Sequence, residues 1–455
     1  LFRSLMILCI GFALLSGCLS VPERLPGSKF TLFEANRRGY RTDVERTAVQ
    51  SDGKIVVLGK ITLRDSKYFS DRYLSVVRLN ADGSPDGSFL MDRKLSHRKM
   101  TGTCLLHVAP DDSLYIILYA SPYSFWGRDE NIRLTLFHLS REGRLLEERG
   151  LAEEHFFFLD LNRVLPCYPG KELRGFYLLG RCVPREKDPG GVSSQKYYGV
   201  IRVDPRGHAD PSFEPLPLRN DAGRSLSVKG AVYPDGSLLL WIKSMGRGGM
   251  SLQLQRIDPR GRRMEPFSAR LAKALPSKGV REIEAAAGSE GGAVLWLQMG
   301  FSGGRLIRLR PGGGIDPTFR AVALPYNSIS RLIITPQKKI LLWGCRSSFY
   351  SYRAGGKSSV IPLRFDPDGS EDMSLRVNYR GYGFTALPDI HMQGSGFLLA
   401  GNELIFFSGE GRPIRTVPLG SAADYRAKES CLEKKAEACG NSCLKILFPH
   451  GMKVM

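Results

Sequence analysis

The sequence predicts an all-β fold, a β-propeller of about seven four-stranded blades followed by a short, partly helical C-terminal tail. Three observations predict it. A turn of Asp-Gly type recurs seven times, at Asp82-Gly83, Glu142-Gly143, Arg206-Gly207, Arg260-Gly261, Gly312-Gly313, Asp368-Gly369 and Glu410-Gly411. These turns lie 60, 64, 54, 52, 56 and 42 residues apart, a repeat period and not a domain duplication. A short apolar run precedes each one, and the composition of 50 Gly and 27 Pro favours many brief elements over long helices.

The elements follow in chain order. Arg3 begins a short positive segment and Leu5 to Leu15 is almost wholly apolar, which is the length of a signal h-region and too short for a mature membrane span. The run ends in Leu15-Ser16-Gly17-Cys18, which resembles a bacterial lipobox. The resemblance implies a cleaved signal over residues 1–17 and a mature chain that begins at an acylated Cys18 and is anchored to a membrane through that lipid. Leu19 and Ser20 follow with no Asp after the cysteine, which by resemblance to envelope lipoproteins points to the outer membrane. Residues 18–29 then read as a linker, 30–420 as the propeller and 421–455 as a cysteine-containing tail. Pro26 to Phe30 reads like the end of a repeat, and is expected to complete the last blade and remove an open sheet edge.

The clearest repeat runs Ser51-Asp52-Gly53-Lys54 into Ile55 to Gly59, then a loop, then Leu74 to Asn80, Asp82-Gly83 and Asp86-Gly87-Ser88-Phe89. The first run leaves a tight turn in which Gly accepts a positive φ, and the second alternates before entering the next turn. The apolar run recurs at Leu114 to Tyr119, Phe176 to Gly180, Leu238 to Ile242, Ala293 to Leu297, Ile340 to Gly344 and Phe397 to Gly401. Asp210-Pro211-Ser212-Phe213 and Asp316-Pro317-Thr318-Phe319 repeat the closing motif. These residues resemble the delta-60 repeat family, over roughly Phe30 to Leu419. The resemblance implies a β-propeller and no particular activity; the second copy lacks the closing Ser-Phe and the seventh lacks the Arg.

Arg78, His138, Arg202, Arg256, Arg308 and Arg364 share one strand position and are expected to pair with a nearby turn Asp rather than to form a ligand ring. Trp241, Trp296 and Trp343 share another and are expected to fill space between blades. Binding is expected where repeats differ, in the longer loops that a meander gathers on one face. Two such loops carry Tyr123, Phe125, Trp126 and Arg128, and Phe349, Tyr350, Tyr352 and Arg353. Rings beside an Arg suit an anionic polysaccharide or a protein hot spot, or else pack on neighbouring loops.

No catalytic residues, metal ligands or cofactor are assigned. The chain has no His-Glu-x-x-His, haem or P-loop motif, and Gly300-Phe301-Ser302-Gly303-Gly304 lies between two strands, not at the strand-to-helix turn of a nucleophile elbow. The sets Asn80, Asp82, Asp86 and Asp366, Asp368, Asp372 lack the terminal Glu of a calcium loop and read as hairpin turns. The net charge of +20 is spread along the chain, so no nucleic-acid stripe is expected. Cys431, Cys439 and Cys443 suit a disulfide clip in an oxidising envelope, or a thiolate metal site. The functional expectation is a non-enzymatic envelope module that binds polymers or protein partners. A hydrolase or lyase acting on polysaccharide at the propeller channel and a purely structural envelope protein are the alternatives.

Overall fold

The computed structural model describes residues 41–418 except 63–71, 93–94, 96–101, 121–132, 153–155, 171, 185–196, 219–224, 247–248, 276–279, 300–302, 325–327, 346–359, 376–388, 394–395, 401–402 and 411. Seven antiparallel meanders follow one another along the chain. Blade 1 holds β1 (Arg41–Val49), β2 (Ile55–Thr62) and β3 (Arg72–Leu79), and blade 2 holds β4 (Gly102–Val108), β5 (Leu114–Ala120), β6 (Arg133–Leu139) and β7 (Leu145–Gly150). Blade 3 is β8 (Phe156–Cys167), β9 (Gly175–Pro184), β10 (Tyr197–Val203) and β11 (Leu216–Leu218). Blade 4 is β12 (Ser225–Val232), β13 (Leu238–Gly246) and β14 (Gly249–Ile257), followed by helix α1 (Glu265–Ala274). Blade 5 is β15 (Val280–Ala287), β16 (Ala293–Met299), β17 (Gly303–Leu309) and β18 (Val322–Leu324), and blade 6 is β19 (Ser328–Ile334), β20 (Ile340–Cys345) and β21 (Val360–Phe365). Blade 7 is β22 (Asp389–Gln393), β23 (Gly396–Ala400), β24 (Glu403–Phe407) and β25 (Pro413–Pro418).

The first strand of each blade touches the first strand of the next, and β22 returns to β1, so these seven strands line a closed ring. Thr47 Oγ1 and His391 Nε2, 2.7 Å apart, bond across that closure. Blade 7 takes its four described strands from Asp389–Pro418. The segment Pro26 to Phe30, expected to complete it, lies outside the described residues, as do Cys18, the linker and the tail with Cys431, Cys439 and Cys443. The apolar run that opens each repeat is the second strand of its sheet. Ile55, Val56, Val57 and Leu58 are all fully buried because both sheet faces are covered by neighbouring blades, so no polar alternation survives.

The repeated Arg is a staple between blades. Arg202 Nε donates to Asp210 Oδ2 at 2.7 Å and its Nη2 to Ser212, while Nη1 crosses to the Pro259 carbonyl of blade 4 at 2.6 Å. Arg78, Arg308 and Arg364 repeat this with Asp86, Asp316 and Asp372, and reach the carbonyls of Arg141, Pro367 and Gly409 in the following blade. The guanidinium also lies over the closing Phe, 5.1 Å from the Phe89 centroid and 5.2 Å from Phe213 and Phe319. Lys54 and Lys339, from the first turns of blades 1 and 6, bond the same aspartates. The recurring turn Gly has a second cause here. A Cβ on Gly143 would sit 2.7 Å from the Phe89 ring, and one on Gly369 would sit 2.5 Å from the Arg320 carbonyl. Each Gly therefore provides both a positive φ and a seat for the preceding blade.

Blade 4 departs from the pattern. Met264 replaces the closing Asp, and α1 occupies the place of a fourth strand, a helix the repeat pattern did not foretell. Pro266 and Glu265 start it, Lys273 complements its C-terminal end, and Phe267 and Leu271 are buried. Arg256, deprived of its usual partner, turns to Asp235 at 3.0 Å and Ser237, and still reaches the Pro311 carbonyl of blade 5.

Candidate functional site

Antiparallel order sorts the connections onto two faces. The first-to-second and third-to-fourth turns share a narrow face; the second-to-third connections emerge on the opposite, wide face. On the narrow face the described charges are largely engaged in the staples. Asp82 accepts from the Ser84 amide and hydroxyl, and Asp86 from Arg78, Lys54 and Ser88, so the calcium-like spacing is filled by the chain's own donors. Asp112, at φ 64°, takes the Ser51 amide and hydroxyl of blade 1 at 2.7 and 2.6 Å, an inter-blade clip.

The wide face is uneven. Blades 1, 2, 3 and 6 carry connections over residues 63–71, 121–132, 185–196 and 346–359, whereas β13 and β14 are joined by two residues and β16 and β17 by three. Tyr123, Phe125, Trp126, Arg128, Phe349, Tyr350, Tyr352 and Arg353 belong to two of the long connections and lie outside the described residues. Gly303 and Gly304 of the Gly-x-Ser-x-Gly stretch open β17, in a hairpin and not a strand-to-helix elbow. Gly304 is required by packing, because a Cβ there would meet the Trp296 indole nitrogen at 2.3 Å.

On the inner ring, Arg163 of β8 reaches past β12 to Glu284 of β15 at 2.7 Å, and Lys229 of β12 bonds Glu282 at 2.7 Å while lying 3.8 Å from Glu284. Glu284 is almost fully buried, and its two cations balance it. Glu282 and Glu284 of the inner strand β15 are thus ion-pair members. Among the described residues no group of three or more His, Cys, Asp or Glu is set to hold a metal ion. Cys167 and Cys182 are buried thiols, and burial pushes the Cys167 thiol up.

A second cluster lies where blade 2 meets blade 3. His107 hydrogen-bonds the Tyr168 hydroxyl, and burial lowers its pKa from 6.5 to about 4. Tyr115 stacks on His138 at 4.3 Å and tilts against Phe176. This column of rings occupies the seam where His138 stands in place of the stapling Arg.

Trp241, Trp296 and Trp343 are buried between blades, as the repeat position implied. Beside Trp241 the seam of blades 4 and 5 opens into a cavity of about 210 Å³ lined by Ser227, Lys229, Trp241, Lys243, Leu252, Glu282 and Ile283. Register explains the lining: Ser227 pairs with Lys243 and Lys243 with Leu252, while Lys229 pairs with Trp241, so all five share one sheet face. Sequence reasoning missed this site because its parts come from four strands, each ordinary alone.

No curated protein matches the chain. Among solved structures, a chain from a study of two prolyl endopeptidases is similar over 87% of this chain and 51% of its own, with 12% identity and a TM-score of 0.45, so this chain spans about half its length. The polysaccharide lyase Uly1 is similar over 83% of this chain and 90% of its own, at 11% identity and a TM-score of 0.45. The periplasmic gluconolactonase PpgL of Pseudomonas aeruginosa is similar over 84% and 97%, at 14% identity and a TM-score of 0.41. A family described as a domain of unknown function (DUF5122) beta-propeller matches residues 50–89. The first repeat is thus of a β-propeller repeat family, and six further sheets carry the same meander round the ring.

Proposed function

We propose that the protein is an envelope lipoprotein, held on the outer membrane by acylation of Cys18, whose propeller binds an anionic polysaccharide through its wide face. The observation that carries this reading is the contrast between the faces. On the narrow face the Arg–Asp staples hold blades together, while the wide face carries the long, dissimilar connections where a rigid scaffold places recognition. A net charge of +20 favours an anionic partner. Recognition is favoured over turnover because Glu282 and Glu284 of the inner strand β15 are each engaged by a cation.

The test is an array of glycans and envelope polymers probed with the full chain, beside a variant carrying Trp126→Ala and Tyr350→Ala. Binding that the variant loses supports the reading. Capture of an envelope protein with no polymer bound would replace the polysaccharide with a protein partner, and turnover of a bound polymer would replace recognition with catalysis. Incorporation of labelled palmitate, abolished by Cys18→Ser, tests the anchor.

A further inference from the structure

We infer that the cavity between blades 4 and 5 is a binding subsite for a single polyhydroxylated monocarboxylate, the size of one sugar-acid residue. The inference rests on the anionic-polysaccharide reading and locates where one acidic unit of the polymer is gripped.

Access comes from the fold. The second-to-third hairpins of blades 4, 5 and 7 are the short ones, so the seam of blades 4 and 5 lies between two short hairpins of the wide face, while blades 1, 2, 3 and 6 carry longer connections. The cavity's 210 Å³ holds roughly seven waters at about 30 Å³ each, the scale of one sugar ring and too small for two.

Charge selects the ligand. Lys229 is already engaged by Glu282 and Glu284. Lys243, on the same face, has no carboxylate partner among the described residues, so the lining carries one cation with an unmet charge. A monoanion meets that charge. A phosphate dianion would bring one negative charge too many against Glu282, whereas the hydroxyls of a sugar acid can donate to Glu282 and bond Ser227. Leu252 and Ile283 supply apolar walls for the C–H face of a ring, and Trp241 closes the inner side.

A cavity of the same volume, lined by Thr335, Gln337, Lys339, Leu341, Arg364, Met392 and Phe397, does not offer this chemistry, because both its cations are taken by Asp372.

The experiment is calorimetric titration of the full chain with glucuronate, glucose and glucose 6-phosphate, repeated on Lys243→Gln and on Lys338→Gln, a narrow-face control. Glucuronate is expected to bind at least tenfold more tightly than either other sugar. Lys243→Gln should weaken it at least tenfold and the control should leave it unchanged, with thermal melts confirming that both variants fold. Equal binding of glucose, or of glucuronate by Lys243→Gln, overturns the subsite. If an anionic polymer binds and glucuronate neither binds nor competes, the subsite fails while the polymer reading stands. If glucuronate binds through Lys243 and no polymer does, the subsite stands and the polymer reading fails.

Discussion

The seam between blades 3 and 4 and the seam between blades 2 and 3 solve the same problem with different chemistry. At the first, Arg202 is almost fully buried, joined to Asp210 and Ser212 in its own blade and to the Pro259 carbonyl in the next. At the second, His138 holds the equivalent position, Leu146 stands where the Asp would be, and His138 Nε2 is buried with no hydrogen-bond partner among the described residues. Stacked rings and the His107–Tyr168 bond replace the charge-assisted staple. The difference teaches what the motif is for. A charged residue recurs in every faithful repeat because neighbouring blades must be joined, and where it is lost the seam relies on aromatic packing and a buried imidazole.

The comparison breaks most sharply at the intact staple. Arg202→Met leaves Asp210 without its cation, and the expected loss is about 3–5 kcal/mol in denaturant unfolding. Arg308→Met, whose side chain is 30% exposed, should cost about 1 kcal/mol or less. Equal losses at the two sites would contradict burial as the source of the difference.

The aromatic seam should show itself through pH. His107 takes a proton near pH 6.5 when unfolded and only near 4 when folded, so the unfolded state binds more protons between those values. Stability is therefore fully present above about pH 6.5 and falls by about 2–3 kcal/mol as pH drops toward 4. His107→Gln should flatten that window, and an unchanged slope in the variant would assign it elsewhere. The staples respond at lower pH. Burial pushes the Asp210 carboxyl up, but bonds from Ser212 and the Arg202 charge outweigh it and hold it below the usual carboxylate range. Its contribution is lost only as pH falls below about 4.

Gly369→Ala should cost about 1–3 kcal/mol, because φ of 88° is strained for Ala and the new methyl meets the Arg320 carbonyl. The smallest effect is the most diagnostic. His138→Arg alone buries an unpaired cation at the second seam, and adding Leu146→Asp, at an exposed position, should rebuild the staple. A double-mutant cycle should give a favourable coupling of about 1 kcal/mol, and none would mean that the seam geometry, not the missing pair, excludes the staple.

The repeat was legible because it is carried by local rules. Asp-Gly turns, apolar runs and the Arg eight residues before the closing Asp each announce themselves within one unit. Helix α1 was not legible: Met264 breaks the closing motif, but the amphipathic Phe267–Leu271 pair that follows is too short to announce a helix within a β repeat. The blade 4–5 cavity was hidden for a different reason. Ser227, Trp241, Lys243, Leu252 and Ile283 meet only through cross-strand register and the packing of one blade on the next. A hint existed in the two-residue hairpin after Gly246, a short connection beside that seam.

By itself, then, the sequence determined the number of blades, the turn chemistry and which residue would bind its turn Asp, because those depend on contacts within about ten residues. Only the tertiary structure decided that the same Arg crosses to the next blade, that Glu284 balances Arg163 across an intervening strand, and that Lys243 is left without a carboxylate among the described residues. Those facts depend on how the ring closes, and closure brings together residues that sequence spacing does not relate.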